Sequence, residues 1–90
     1  MHDVSLNLRI LIVEDHDDLA DALRANFGSE GYQASVASDG RQALAMVRAD
    51  PPDIVVLDLG IPGIDGLALL SRLRAEGYWC PAWIAEDQGL

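Results

Sequence analysis

The sequence predicts an α/β fold in which helices cover both faces of a doubly wound parallel sheet. Segments with the hydrophobic pattern of strands alternate with segments of helical periodicity, and only a few residues connect them. The two strongest apolar runs, at residues 10–13 and 54–57, are continuous rather than alternating. Strands that are buried on both faces have this pattern, and short connections favour right-handed crossovers.

The first strand is expected at residues 9–13, and Asp17 or Asp18 can cap the helix that follows it. That helix should end at residues 28–31, where two glycines occur, and a weaker strand should follow at residues 32–37. The apolar positions of this helix recur at helical spacing. They are Leu19, Ala22, Leu23 and Phe27.

Asp39 opens the second predicted helix, which an Asp-Pro-Pro sequence stops, and the third strand should span residues 53–57. Asp65 can cap a third helix, and Gly77 fits the position just past its end. A short fourth strand is predicted at residues 82–85. The core-facing positions of the second and third helices are Ala43, Leu44, Val47, Leu67, Leu70 and Leu73.

Carboxylates follow the two strongest strands at the point where each strand ends. Glu14 and Asp15 follow the first strand, and Asp58 follows the third. If these parallel strands are neighbours, the three groups meet in one crevice at the carboxyl edge of the sheet, where such folds bind ligands. Their mutual repulsion favours a divalent cation, and hard oxygen donors suit Mg²⁺. A carboxylate beside Mg²⁺ is also a nucleophile toward phosphorus, and Asp58 is the preferred candidate.

The composition excludes several classes of function. The chain has 90 residues, a formal net charge of -9 and no lysine, so we expect no nucleic-acid binding by this chain. The single cysteine, Cys80, cannot form an internal disulfide, and its surroundings in the sequence offer no zinc-ligand spacing. No signal peptide is recognisable, and no apolar run approaches the ~20 residues of a membrane span. A cytoplasmic protein without membrane contact is therefore expected.

Three sequence segments resemble the receiver domain of two-component response regulators. They are residues 10–15 (ILIVED), residues 54–66 (IVVLDLGIPGIDG) and the intervening Asp39-Gly40 with Ala43-Leu44. The resemblance implies a flavodoxin-like fold and transfer of a phosphoryl group from a sensor histidine kinase to Asp58. It also implies Mg²⁺ held by Asp15, Asp58 and the Gly60 carbonyl, with Glu14 acting through water.

The sequence also departs from the receiver pattern. Receivers present a Ser or Thr hydroxyl after the fourth strand and a Lys after the fifth, whereas the hydroxyl position here falls on Glu86 and no lysine exists. The fifth strand and last two helices are not found. We therefore expect a truncated receiver domain at residues 9–86, a flexible start at 1–8 and a tail at 87–90.

Truncation would leave the fourth strand as an open edge, and unpaired edges invite partners. The sequence thus predicts self-association through this edge and the tail, with Trp79 and Trp83 as candidate anchors. Two alternatives to phosphoryl acceptance remain open. One is a degenerate receiver that acts only as a protein-interaction module. The other is a phosphohydrolase with an aspartate nucleophile, although Leu59-Gly60 after Asp58 does not match the DxDx(T/V) pattern of such enzymes.

Overall fold

A computed structural model describes residues 8–58 and 66–85 of the chain. Strands and helices alternate through these residues, as the sequence predicts. The elements are β1 (Arg9–Val13), α1 (Asp17–Ser29), β2 (Gln33–Ala37), α2 (Gly40–Ala49), β3 (Ile54–Asp58), α3 (Gly66–Ala75) and β4 (Ala82–Ala85). The predicted positions of Gly60, Asp65, Glu86 and the tail at 87–90 lie outside the described residues, as does all of the predicted flexible start except Leu8.

The strands form a parallel sheet in the order β2-β1-β3-β4. The strand order reverses between β1 and β3, because the chain moves outward from β1 to β2 and then crosses to the other side of β1. The prediction of a doubly wound, flavodoxin-like parallel sheet is confirmed. Its most important consequence is that β1 and β3 are direct neighbours.

The two faces of the sheet are covered unequally. On one face, α2 and α3 pack over a large core in which Val47, Leu69 and Leu73 are completely buried. On the other face, α1 packs mainly against β2 and β1, and its Leu23 and Phe27 contact a smaller cluster. The sheet residues of that smaller cluster are Ile10, Ile12, Ala34, Val36, Ile54 and Val56.

A charged contact joins the two helices of the larger face. Arg48 of α2 donates two hydrogen bonds, of 2.9 and 2.7 Å, to the carboxylate of Glu76, which immediately follows α3. Arg72 of α3 donates a third bond of 3.2 Å to the same carboxylate. These bonds, those from Arg48 first, lower the pKa of Glu76 to about 2. The ends of α2 and α3 are therefore linked through one carboxylate.

The helix ends are mostly where the sequence places them. Asp39 caps α2 by accepting a 2.8 Å hydrogen bond from the Gln42 N–H. Gly31 and Gly77 follow α1 and α3 with φ values of 98° and 93°, a conformation that L side chains rarely adopt. The prediction that Asp17 or Asp18 caps α1 is wrong, because both residues lie inside the helix and His16 occupies the cap position. Both carboxylates still stabilise α1, because negative charges in the first turn interact favourably with the helix dipole.

Three predicted core positions are instead on the surface. Leu19 is 46% exposed, Leu67 is 55% exposed, and Ala22 is also exposed. Ala20 and Leu69 are buried in their place. Both helices carry apolar residues on more than one side, so periodicity alone leaves their rotation about the helix axis undecided. Helix α3 is rotated so that Leu69 and Leu73 share the inward face.

No helix within residues 8–58 and 66–85 is long and apolar enough to cross a membrane.

Candidate functional site

Glu14 extends the ladder of β1 by one residue. Its backbone N–H donates a 3.0 Å hydrogen bond to the Ala37 carbonyl of β2. Its side chain is buried, and the Oε2 atom accepts a 3.2 Å hydrogen bond from the backbone N–H of His16. The carboxylate is therefore held close to the sheet edge, where the chain turns into α1.

Asp15 follows as the first exposed residue after β1. No hydrogen bond or ion pair involves its side chain within the described part of the chain. The two acidic residues therefore differ in their surroundings, since Glu14 is buried and bonded to the backbone whereas Asp15 is open to solvent. A ligand at this edge would therefore contact a buried, hydrogen-bonded carboxylate in Glu14 and a solvent-exposed one in Asp15.

Asp58 is the last residue of β3 and stands next to the end of β1. The register pairs Val13 with Leu57, so the positions that follow, Glu14 and Asp58, are adjacent on neighbouring strands. Such strands are about 4.8 Å apart. On its other side, Asp58 pairs with Ala85, the residue before Glu86. The expectation that strands one and three lie side by side, with their acidic ends at one edge, is confirmed for the backbone.

The donor set at this edge fits a hard cation. Glu14 and Asp15 carry carboxylate oxygens, which Mg²⁺ prefers, and the backbone of Asp58 lies beside that of Glu14. Within the described part of the chain, no group of three or more His, Cys, Asp or Glu side chains converges on a common point. The Asp58 side chain and Gly60 are not among those described, so the predicted ligand set is only half represented there.

The opposite edge of the sheet also carries carboxylates, and there they accept hydrogen bonds from Arg9. Arg9 donates its backbone N–H to Asp53 (2.7 Å) and its guanidinium to the Asp50 carboxylate (2.5 Å) and the Pro51 carbonyl (2.7 Å). The bond to Asp50, with its charge, raises the pKa of Arg9. A groove of about 290 Å³ opens beside this cluster. The sequence did not predict this cluster, although Arg9 and Asp53 each mark the start of a predicted strand.

The chain matches the family model described as "Response regulator receiver domain" over residues 10–87. It is 41% identical over 70 residues to the response regulator MprA of Mycolicibacterium vanbaalenii, covering 78% of this chain and 30% of that protein. Over 69 residues it is 44% identical to sporulation initiation phosphotransferase F of Bacillus subtilis, covering 77% and 56%. It is 38% identical to the transcriptional regulatory protein TcrA of Mycobacterium tuberculosis over 82 residues, covering 91% and 32%.

Solved structures agree with the sequence relatives. The receiver domain of the Francisella response regulator 1452 superposes with a TM-score of 0.87 at 28% identity, covering 93% of this chain and 69% of that one. The N-terminal domain of a response regulator receiver protein from Methanoculleus marisnigri gives a TM-score of 0.85 at 27% identity, covering 92% and 69%. The chain thus spans about two thirds of these domains. It spans between 30% and 56% of the length of the relatives above.

Proposed function

This chain belongs to the response regulator receiver family, a family of regulatory domains in two-component signalling, and we propose that it accepts a phosphoryl group on Asp58. The proposed donor is a phosphohistidine on a sensor histidine kinase, and the proposed setting is the cytoplasm. The metal in the proposal is Mg²⁺, with Glu14, Asp15, Asp58 and the Gly60 carbonyl as the residues that hold it.

The observation that carries this proposal is the pairing of β1 with β3. Because Val13 pairs with Leu57, the acidic residues that end the two strands occupy neighbouring positions at one edge of the sheet. The strand order reverses at the same place, which is where folds of this type bind their ligands. A capping role alone would not require Asp58 to stand beside a second strand that also ends in two carboxylates.

The chemistry needs one bond to form and one to break. A carboxylate oxygen of Asp58 forms a P–O bond while the P–N bond to the kinase histidine breaks, and the imidazole leaves with the electron pair and is then protonated by water. Bound Mg²⁺ would supply positive charge that offsets the negative charge of the phosphoryl oxygens. The buried Glu14 keeps its side of the site in place, since its backbone and carboxylate are both hydrogen-bonded.

Acetyl phosphate and Mg²⁺ provide the direct test, with intact-mass measurement as the readout. We expect the chain to gain the mass of one phosphoryl group and the Asp58→Asn variant to gain none, because the nucleophilic oxygen is lost. Asp39→Asn is the matched control, since asparagine also caps helices and this residue lies outside the proposed site. An adduct that survives in Asp58→Asn would overturn the assignment.

Metal binding can be measured separately by titrating Mg²⁺ and following amide chemical shifts. Asp15→Asn should weaken binding about tenfold or more, because it removes one ligand charge from an exposed position. Asp21→Asn, further along α1 and paired with Arg24 at 3.5 Å, should leave the affinity within about twofold. Equal losses in the two variants would indicate a general effect of charge rather than a site.

The second candidate function is a receiver that binds partners without being phosphorylated. Two sequence features favour it, namely the lack of any lysine and the glutamate at position 86, where the family carries a hydroxyl. Since Asp58 pairs with Ala85, the residue before Glu86, an extra negative charge next to the acceptor would disfavour a phosphoryl group. If the chain gains no phosphoryl mass under any Mg²⁺ concentration while remaining folded, this second function replaces the first.

A further inference from the structure

The outer edge of β2 carries backbone groups that no described strand pairs with. The Gln33 N–H donates a 2.9 Å hydrogen bond to the Leu8 carbonyl, and the Ala37 carbonyl accepts one of 3.0 Å from the backbone N–H that follows β1. In a parallel ladder, this arrangement turns the backbone groups of Ala34 and Val36 away from β1. Among the described strands, β2 is the last one on this side of the sheet.

This edge lacks the features with which proteins usually prevent strand addition. Such edges are blocked by charged side chains, by proline or by bulges. Residues 31–38, which contain β2, include no charged residue and no proline. The register of β2 with β1 runs from Gln33 to Ala37 without interruption. The edge is therefore suited to recognition by β-strand addition, in which an extended segment of another polypeptide pairs with it.

The two sides of β2 differ, and the difference determines which segment fits. On the side of α1, Ala34 and Val36 are partly buried against the smaller hydrophobic cluster. On the side of α2, Gln33 and Ser35 are exposed. The side chains of an added strand would point alternately to these two sides. A complementary segment therefore alternates apolar residues with polar or charged ones.

The groove of about 290 Å³ lies on the α2 side of this edge. Gln33 and Ser35 line it from β2, Leu11 lines it from β1, and Met46 and Ala49 line it from the last turn of α2. Its volume is near the lower end of the range for small-molecule pockets, about 300 Å³, so it suits a single side chain. Leu11 is buried and Met46 is partly buried, and together they offer apolar contact to the methylene groups of a long side chain.

The charges around the groove favour a cation. Asp50 follows α2 and lines the groove, and its side chain is 72% exposed. The carboxyl end of α2 has the negative end of the helix dipole, and Asp53 adds a second carboxylate at the same edge of the sheet. Arg9 contributes one positive charge against these two carboxylates. The basic residue in the last turn of α2, Arg48, is bonded to Glu76 instead.

We propose that β2 binds an extended polypeptide segment of alternating apolar and basic residues and adds it to the sheet as an outer strand. The backbone groups of Ala34 and Val36 form hydrogen bonds with the segment, and its apolar side chains pack on the α1 side. One lysine or arginine side chain enters the groove, with its charged group beside Asp50. The proposal does not depend on phosphorylation of Asp58, and failure of either proposal leaves the other standing.

A synthetic peptide of seven residues that alternates lysine and valine, with both ends blocked, is the probe. Titration of the 90-residue chain, followed by amide chemical shifts, should show the largest changes at Ala34 and Val36. The dissociation constant should be roughly 100 μM to 1 mM, because one short strand buries less than the ~1,200 Å² of stable complexes.

Two altered peptides separate charge from strand pairing. A peptide with glutamate in place of lysine should bind at least about tenfold more weakly, because its charge has the wrong sign for the groove. A peptide with proline in place of the central valine keeps every positive charge but loses a backbone donor. It should also bind at least about tenfold more weakly.

Variants of the chain test the same two features. Asp50→Asn should weaken binding of the lysine peptide about fivefold or more, because it removes an exposed charge at the groove. Asp18→Asn is the matched control, since it removes the same charge from the first turn of α1, at the opposite edge of the sheet, and should change the affinity less than about twofold.

Ala34→Pro removes an outward N–H without removing a hydrogen bond to β1, and it should weaken binding at least about tenfold. Far-ultraviolet circular dichroism confirms that each variant is folded. The proline peptide tests the edge even if Ala34→Pro does not fold.

Three outcomes would overturn the proposal. The first is a chain whose amide shifts do not change with the lysine peptide at about 5 mM. The second is a proline peptide that binds as tightly as the original, because that indicates attraction to an acidic surface without strand addition. The third is an equal loss of affinity in Asp50→Asn and Asp18→Asn, which would assign the effect to net charge rather than to the groove.

Discussion

The two faces of the sheet differ in how completely they are packed. The face under α2 and α3 buries Val47, Leu69 and Leu73 completely, and the Glu76 carboxylate ties the ends of its helices together. The face under α1 has a smaller hydrophobic cluster, and Trp83 on β4 at its margin is exposed to solvent. Stability is therefore expected to be concentrated on the first face, whereas the second face leaves apolar surface exposed at Trp83.

The largest effect is expected when one leucine on each face is truncated. Leu73→Ala should lower the free energy of unfolding by about 2–5 kcal/mol, because it leaves a cavity in a closed core. Leu23→Ala removes a partly buried side chain from the open face and should cost roughly half as much. Urea unfolding of both variants provides the measurement, and equal losses would show that the faces are packed alike.

A smaller effect is expected at the start of α2. Asp39→Ala removes the acceptor for the Gln42 N–H and should cost about 1 kcal/mol. Asp39→Asn keeps an acceptor in the same place and should cost little. Thermal unfolding of the two variants distinguishes the cap from the charge. If both lose equal stability, the carboxylate matters through its charge, and the hydrogen bond does not explain the effect.

The link between α2 and α3 predicts a dependence of stability on pH. The pKa of Glu76 is lowered in the folded chain from 4.5 to about 2, so its contribution is fully present above pH ~4.5 and is lost as the pH falls through about 2. Urea midpoints measured from pH 5 down to pH 2 should fall less steeply in Glu76→Gln than in the parent. Because these groups are in contact with solvent, the difference should shrink with added salt. Parallel curves would contradict this role for Glu76.

The smallest effect is expected at the open end of the second face. Trp83→Ser should change the free energy of unfolding by no more than about 0.5 kcal/mol, because Trp83 is 63% exposed. Fluorescence is unsuitable when a tryptophan is replaced, so circular dichroism should follow the unfolding. A loss of several kcal/mol would mean that Trp83 belongs to the core.

The sequence was sufficient to predict every described strand and helix. Continuous apolar runs identified β1 and β3, and Gly31 and Gly77 marked the ends of two helices through a conformation that few other residues adopt. The rotation of the helices was harder to predict. Leu67 and Leu69 are equally apolar, and only contact with α2 and the sheet decides that Leu69 is the buried one.

The candidate site was likewise predicted only in part from the sequence. Strand-terminal carboxylates and a parallel topology were enough to predict that Glu14 and Asp58 lie at the same edge of the sheet, because all parallel strands end at one edge. That their strands are neighbours was a condition of the prediction, which the register confirms. The unequal exposure of Glu14 and Asp15 could not be predicted, since it depends on the turn from β1 into α1. Nor could the Arg9 cluster, whose partners are more than forty residues away in the sequence.

The position of β1 sets the order in which the chain can fold. β1 is the first strand along the sequence but lies inside the sheet, between β2 and β3. When the first fifty residues have left the ribosome, β1 can pair on one side only, and its other side waits for residues 54–58. Closing that long loop costs entropy before any contact repays it, so the nascent chain gains little from folding early. Synthesis through β3 should therefore be the step at which this domain becomes resistant to proteolysis.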